Sequence, residues 1–304
     1  MHGDGDARRR ARRQRAIVGA LIAAAAADAT SAMDVLHRER SLYRNIVVYE
    51  DDGLRCMAFG RNVNMRQSCS SLTEPAQLVF NYAKLVFGAF YVVPAPTRIL
   101  VVGMGGGNLS MALQQAYPDV AIDAVELDPA VVRMARDYFH FAPGDRMRVY
   151  EEDGRVFVKR MQRAGVKYDV IVLDAYDHEY IPEHMLTLEF LQEVKSLLTP
   201  RGVVAGNTFT SSKLYHSESA TYHAAFGDFF SLKTNNRVIM ARPAGLPDKA
   251  ELARNAAALD ARFRAVGVDR DWVLSRFEVE RGWPPDTRVL TDQYSPSNLL
   301  NTVK

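Results

Sequence analysis

The stretch Ile99-Leu-Val-Val-Gly-Met-Gly-Gly-Gly-Asn108, followed by Val125-Glu-Leu-Asp-Pro129, decides how this chain folds. An apolar run ends in closely spaced glycines, a helix is expected next, and a second apolar run ends in Glu126. In a doubly wound sheet, that order puts a backbone-lined turn at the carboxyl edge of one strand. It puts an acidic side chain at the edge of the next, where it can accept hydrogen bonds from ribose hydroxyls. The spacing Gly103-x-Gly105-Gly106-Gly107 departs from the dinucleotide fingerprint G-x-G-x-x-G, which disfavours a pyrophosphate ligand. Asp153-Gly154, after a third apolar run, is a further edge signal. Together these define a nucleoside site rather than an ordinary tight turn.

Working outward, alternation of strands (99–102, 121–125, 147–150, 169–173 and 203–207) with helices (108–116, 130–138, 154–163, 183–198 and 212–226) predicts a mostly parallel sheet covered on both faces. Segments 229–234 and 236–240 read as an edge hairpin. Before this domain, segments 42–49, 54–59 and 63–68 are separated by Asp51-Asp52-Gly53 and Gly60-Arg61-Asn62, the pattern of an antiparallel meander. Residues 75–90 are apolar at helical spacing and residues 248–280 read as helical, with a proline-rich tail from Trp283. The expected organisation is an N-terminal tail (1–32), a meander and helix (33–93), a Rossmann-like catalytic domain (94–245) and a C-terminal helical segment (246–304).

Of the 304 residues, 48% are hydrophobic and 24% charged, ordinary for a globular protein. The net charge of +2 hides an asymmetry: six arginines and two aspartates in residues 1–15 contribute +4, so the remainder sums to −2. The body has no nucleic-acid footprint. The basic stretch, the apolar run 17–27 and Ala27-Asp28-Ala29 have the layout of a secretory signal. The run is too short to span a bilayer, and the alternative is a basic tail on a cytoplasmic protein. Cys56 and Cys69 lack metal-ligand spacing and read as small packed residues; export would permit a disulfide between them. His178 and His184 lack a third ligand, so no metal is expected.

Chemistry is expected in the loop Asp174-Ala-Tyr-Asp-His-Glu-Tyr-Ile-Pro182, because ligands in such sheets lie outside the carboxyl ends of the strands. Bland roles stay open beside it. Asp153 would serve as a helix N-cap, Asp177 as a surface ion-pair partner, Tyr82 as a core aromatic, and Tyr176 and Tyr180 as lid packing.

From about residue 40 to 240 the chain resembles the spermidine synthase family of polyamine aminopropyltransferases, in its divergent spermidine synthase-like branch. The meander placed before the glycine turn carries much of that resemblance. It implies that Gly103, Gly105, Gly106 and Gly107 hold the co-substrate, decarboxylated S-adenosylmethionine, with methylthioadenosine as product. It also implies that Glu126 binds the ribose, Asp153 and Gly154 lie by the adenine, and Gln67 contacts the co-substrate. Asp174 becomes the catalytic carboxylate, and Asp177, Tyr82 and Tyr176 receive a small amine such as putrescine. A homodimer is the assembly the resemblance implies.

The departures are specific. Gly106 stands where the family has an aspartate, Tyr82-Ala83-Lys84 replaces Tyr-His-Glu, the 174–182 loop is altered, and Gly206-Asn-Thr-Phe209 replaces Gln-x-Glu-Ser. They keep two alternatives in view: a methyltransferase using intact S-adenosylmethionine, and a non-catalytic nucleoside- or polyamine-binding protein.

Overall fold

The structure, a computed structural model, describes residues 33–60, 63, 65–175 and 182–296. The signal-like segment, Tyr176, Asp177, His178 and Tyr180 lie outside the described residues.

The N-terminal meander has four antiparallel strands in sequence order: β1 (Asp34–Arg40), β2 (Asn45–Asp51), β3 (Leu54–Phe59) and β4 (Arg66–Ser71). The sequence led to three. β1 escaped notice because its residues, Asp-Val-Leu-His-Arg-Glu-Arg, are charged and do not alternate cleanly, as suits a strand with one open edge. Cys56 and Cys69 face each other across β3 and β4 and are joined by a disulfide, which corrects their reading as merely packed residues.

Two short helices follow, α1 (Asn81–Val86) and α2 (Ala89–Val92), where one helix over 75–90 was expected. Tertiary pairing overrides the local pattern there: Leu78 N–H donates to Val266 O, holding the segment before α1 extended.

The main sheet then alternates β5 (Arg98–Val102), α3 (Asn108–Ala116), β6 (Ala121–Glu126), α4 (Pro129–Tyr138), β7 (Met147–Glu151), α5 (Gly154–Arg163) and β8 (Tyr168–Leu173). A 3-10 turn (Glu183–Met185), α6 (Leu188–Leu197), β9 (Leu198–Phe209) and α7 (Tyr215–Phe226) come next. The chain continues through β10 (Phe230–Lys233), β11 (Asn236–Ala241), α8 (Lys249–Arg264), α9 (Arg270–Leu274) and β12 (Glu278–Val279). Strand order is β12-β10-β11-β9-β8-β5-β6-β7, with β7, β6, β5, β8 and β9 parallel and β11 antiparallel to β9. The chain reverses its direction of growth between β5 and β8, so the crevice above those two strands is the expected ligand site. This is the doubly wound sheet expected from the sequence, with β12 added at its edge.

The central strands are apolar on both faces because both are covered. Ile99, Val101, Val170 and Val172 pack in the core that includes Phe87, Phe90 and Phe263, whereas Leu100, Val102, Ile171 and Leu173 pack with Phe157, Phe190 and Phe229. Ala130, Val131 and Met134 of α4 meet Ile46, Val48 and Met57, which fastens the meander to the domain. Asp128 caps α4, accepting from Ala130 N–H at 3.0 Å, with Pro129 at the first helical position. Its other oxygen accepts from Ser41 Oγ at 2.5 Å, tying the β1–β2 turn to the helix. Asp128→Ala is therefore expected to lower stability by about 1–2 kcal/mol, read as a lower urea midpoint at unchanged slope.

The helix expected over 183–198 is interrupted, because Thr187 caps α6 by accepting from Phe190 N–H. The C-terminal tail crosses this interruption. Asp292 accepts from Thr187 Oγ1 at 2.7 Å and from both terminal nitrogens of the buried Arg155, which also grips Glu193. Leu188 N–H donates to Leu290 O, Asp292 N–H to Glu189 Oε2, and Ser295 Oγ to Glu183 O. Among the described residues, no helix is long and apolar enough to cross a membrane.

Candidate active site

The crevice above β5 and β8 holds a cavity of about 400 Å³, within the range of small-molecule sites. Eight predicted residues line it: Gln67, Tyr82, Gly103, Gly105, Glu126, Asp153, Gly154 and Asp174. Pro182, His184, Met185, Asn207 and Asn236 line it as well.

Gly103 shows why glycine opens the turn. Its φ is +90°, and a Cβ there would lie 2.2 Å from the carbonyl oxygen of Asp174. The two chain crossings at the switch point thus touch backbone to backbone, and Asp174 N–H donates to Val102 O at 2.7 Å. Gly106 and Gly107, by contrast, do not line the cavity. Gly106 is wedged behind the turn, donating its N–H to Ser68 Oγ at 2.8 Å. A Cβ there would approach Ser68 Cβ and Asn108 Oδ1 at 3.0 Å and Phe139 at 3.2 Å. Gly107 packs on Phe141 at the start of α3. These two build the framework of the turn.

Glu126, at the end of β6, is buried and closes the turn itself. Its Oε2 accepts from Met104 N–H at 3.1 Å and Gly105 N–H at 3.2 Å, and its Oε1 accepts from Asp128 N–H at 3.1 Å. Oε1 therefore retains acceptor capacity towards the cavity. Asp153 does serve as an N-cap: Oδ1 accepts from Arg155 N–H and Val156 N–H, while Oδ2 meets His184 Nε2 at 3.0 Å. It lines the cavity nonetheless.

Asp174 follows β8 directly. Its Oδ1 accepts from Asn207 Nδ2 at 2.8 Å, and the Tyr82 hydroxyl donates to the same carboxylate. Burial pushes its carboxyl up to about 7; the bonds from Asn207 and Tyr82 oppose the shift and the charge of Glu126 adds to it. Burial also holds the Tyr82 phenol well above its ordinary range, reinforced by Asp174, so Tyr82 keeps its proton and acts as donor. A carboxyl poised near neutrality beside a backbone-lined turn can accept a proton from a cationic substrate.

Sequence reasoning missed Asn207, Asn236, Ser68 and the lining role of His184. Asn207 was findable, since it stands near the carboxyl end of the strand next to β8, by the rule that selected Asp174. Asn236 and Ser68 reach the site only through sheet pairing and the docked meander. Among the described residues there is no cluster of three or more metal-ligating side chains.

The spermine/spermidine synthase domain matches residues 83–243, more than half of the 304. A polyamine aminopropyltransferase of Vibrio vulnificus is 40% identical over 272 residues, 88% of this chain and 91% of that protein. The eEF1A lysine and N-terminal methyltransferase of Homo sapiens is 32% identical over 224 residues, 69% of this chain and 29% of that protein. A solved structure of a probable spermidine synthase from Corynebacterium glutamicum has a TM-score of 0.65 at 19% identity, covering 84% of this chain and 96% of that one. With a glycine turn, an acidic β6 edge and a buried carboxylate assembled at one switch point, and with these matches, the chain belongs to the spermine/spermidine synthase family.

Proposed function

We propose that this protein is a transferase that moves an aminopropyl group from decarboxylated S-adenosylmethionine to a primary amine such as putrescine. The observation that carries the reading is Asp174, held by Asn207 and Tyr82 in the cavity beside Gly103 and across from Glu126.

The residues fit a thioadenosyl group by the chemistry of their donor set. Glu126 Oε1 is available to ribose hydroxyls, and Leu127, Pro182 and Met185 offer apolar surface to a flat base. Asp153 and Gly154, which line the same cavity, are assigned to the edge of the base. When bound, the co-substrate supplies an electrophilic carbon on a sulfonium, with a neutral thioether as leaving group.

The protein's task is to present a neutral amine. An ammonium has no lone pair, so Asp174 accepts one of its protons and holds the nitrogen in line. As the new C–N bond forms and the C–S bond breaks, positive charge moves from sulfur onto nitrogen, and Asp177 is the anion assigned to stabilise it. Tyr82, kept protonated, orients the Asp174 carboxylate by donating to it. Asp177 and Tyr176, which follow Asp174 in the sequence, are assigned to the amine. A homodimer, as the family resemblance implies, is checked by light scattering.

The methyltransferase reading is favoured by one observation, the likeness to the human methyltransferase domain. Calorimetry with the decarboxylated co-substrate, the intact form and methylthioadenosine, together with mass analysis of an amine product, separates the readings. The decarboxylated form is expected to bind at least tenfold tighter and to extend putrescine by one aminopropyl unit. A tenfold preference for the intact form, about 1.4 kcal/mol, overturns the assignment. Methylthioadenosine binding with no product from either form leaves a binding protein instead.

A further inference from the structure

We propose that Asn236 and Asn207 form an amide relay that positions Asp174, presenting only a donor to it and so holding it ready as an acceptor. Asn207 is 5% exposed, and its Nδ2 donates to Asp174 Oδ1 at 2.8 Å. Its Oδ1 is engaged from behind by Asn236 Nδ2 at 3.1 Å.

An asparagine amide has one accepting and one donating end, and rotation by half a turn exchanges them. Left alone, Asn207 could present its oxygen to a protonated Asp174 as readily as its nitrogen to an ionised one. Asn236, with its own Nδ2 turned to Asn207 Oδ1, opposes that exchange. With Asn207 Oδ1 occupied, its nitrogen faces Asp174 and favours the ionised carboxylate.

The fold places the pair without strain. Val238 of β11 lies opposite Asn207 of β9, and Asn236 lies two residues from Val238, making it the diagonal neighbour on the same face. The main chain that carries Asn236 is held in turn: Thr234 N–H donates to the Asn236 backbone carbonyl at 2.7 Å, closing the β10–β11 turn. The groups around Asp174 give the relay something to oppose. Glu126 on β6 repels its negative charge, and burial does the same, while Tyr82 on α1 is the other donor. Glu152, Asp153, His184, Arg44 and Arg66 complete the charged and titratable lining of the cavity among the described residues.

The inference rests on Asp174 as proton acceptor, and the test keeps the two apart. The pH profile of kcat/KM is measured for wild type, Asn207→Ala, Asn236→Ala and the double variant, with decarboxylated S-adenosylmethionine and putrescine. Methylthioadenosine affinity is the readout of an intact pocket. Asn207→Ala is expected to move the acid limb up by about one pH unit and Asn236→Ala by about half a unit. Both should leave methylthioadenosine affinity within about twofold. The double variant should shift no further than Asn207→Ala, because both residues act through one series of hydrogen bonds.

An unmoved limb in Asn236→Ala, or additive shifts in the double variant, overturns the relay. Asn236 is only half-buried, so this arm stands even if Asn207→Ala fails to fold. If Asp174→Asn keeps both its turnover and the wild-type limb, the proton-acceptor reading itself has failed. If Asp174→Asn is inactive and the Asn variants leave the limb in place, the relay alone is wrong.

Discussion

Asp174→Asn is expected to lower turnover by on the order of 10²–10⁴ while leaving methylthioadenosine affinity nearly unchanged. Asparagine keeps the volume and can still bond to Asn207, but it accepts no proton. In wild type, activity should fall with decreasing pH through about 7, because the base must be unprotonated and burial places its carboxyl there. The same shift has an opposite consequence for stability. Between the ordinary carboxylate value of 3.8 and about 7, the folded protein holds a proton that the unfolded chain has released. Stability contributed by this group is therefore present at low pH and lost as pH rises through about 7. Asp174→Asn removes that loss, so the variant should be the more stable protein at pH 8 and the less active one. Denaturant unfolding at pH 5 and pH 8, set beside single-turnover rates, checks both halves. Wild-type turnover in the variant would remove Asp174 from the chemistry.

The second large effect is expected at Glu126. Glu126→Ala should weaken methylthioadenosine binding on the order of 10²-fold or more, since the lost contacts are hydrogen bonds to a charged group. Two losses combine. The ribose loses its acceptor, and the N–H groups of Met104, Gly105 and Asp128 lose theirs, which releases the glycine turn. Glu126→Gln separates them. It keeps one accepting oxygen, but its amide nitrogen must then face either the two turn N–H groups or that of Asp128. Binding should fall by an intermediate amount, with a measurable loss of thermal stability. Titration calorimetry and a melting curve on the same samples provide the test. Unaltered affinity in Glu126→Ala would mean that the nucleoside does not lie in this crevice.

The sheet was legible in the sequence because each central strand is buried on both faces and ends in a turn signal. Val101-Val102-Gly103 and Val172-Leu173-Asp174 announce both the strand and its ligand edge. What local pattern did not reveal depends on distant partners. β1 is recognisable only once β2 is in place beside it, and the extended segment before α1 exists because Val266 accepts from Leu78. The site divides in the same way. Asp174, Glu126, Asp153 and Gly154 follow from position on their own strands. Asn236 and Ser68 enter through an antiparallel neighbour and a docked meander. The surroundings of Gly106 are set in the same way, by Ser68, Asn108 and Phe139.

The segment 290–295 makes a remote part of the chain into a gauge of events beside Asp174. Leu188, at the start of α6, donates its amide to Leu290, and Asp292 donates its own to Glu189. Neither amide can exchange with solvent unless that part of the strap lifts. Deuterium uptake at these positions should therefore slow when a ligand steadies residues 182–187. Occupancy at the centre of the molecule would then be read from its far end, without a label in the cavity.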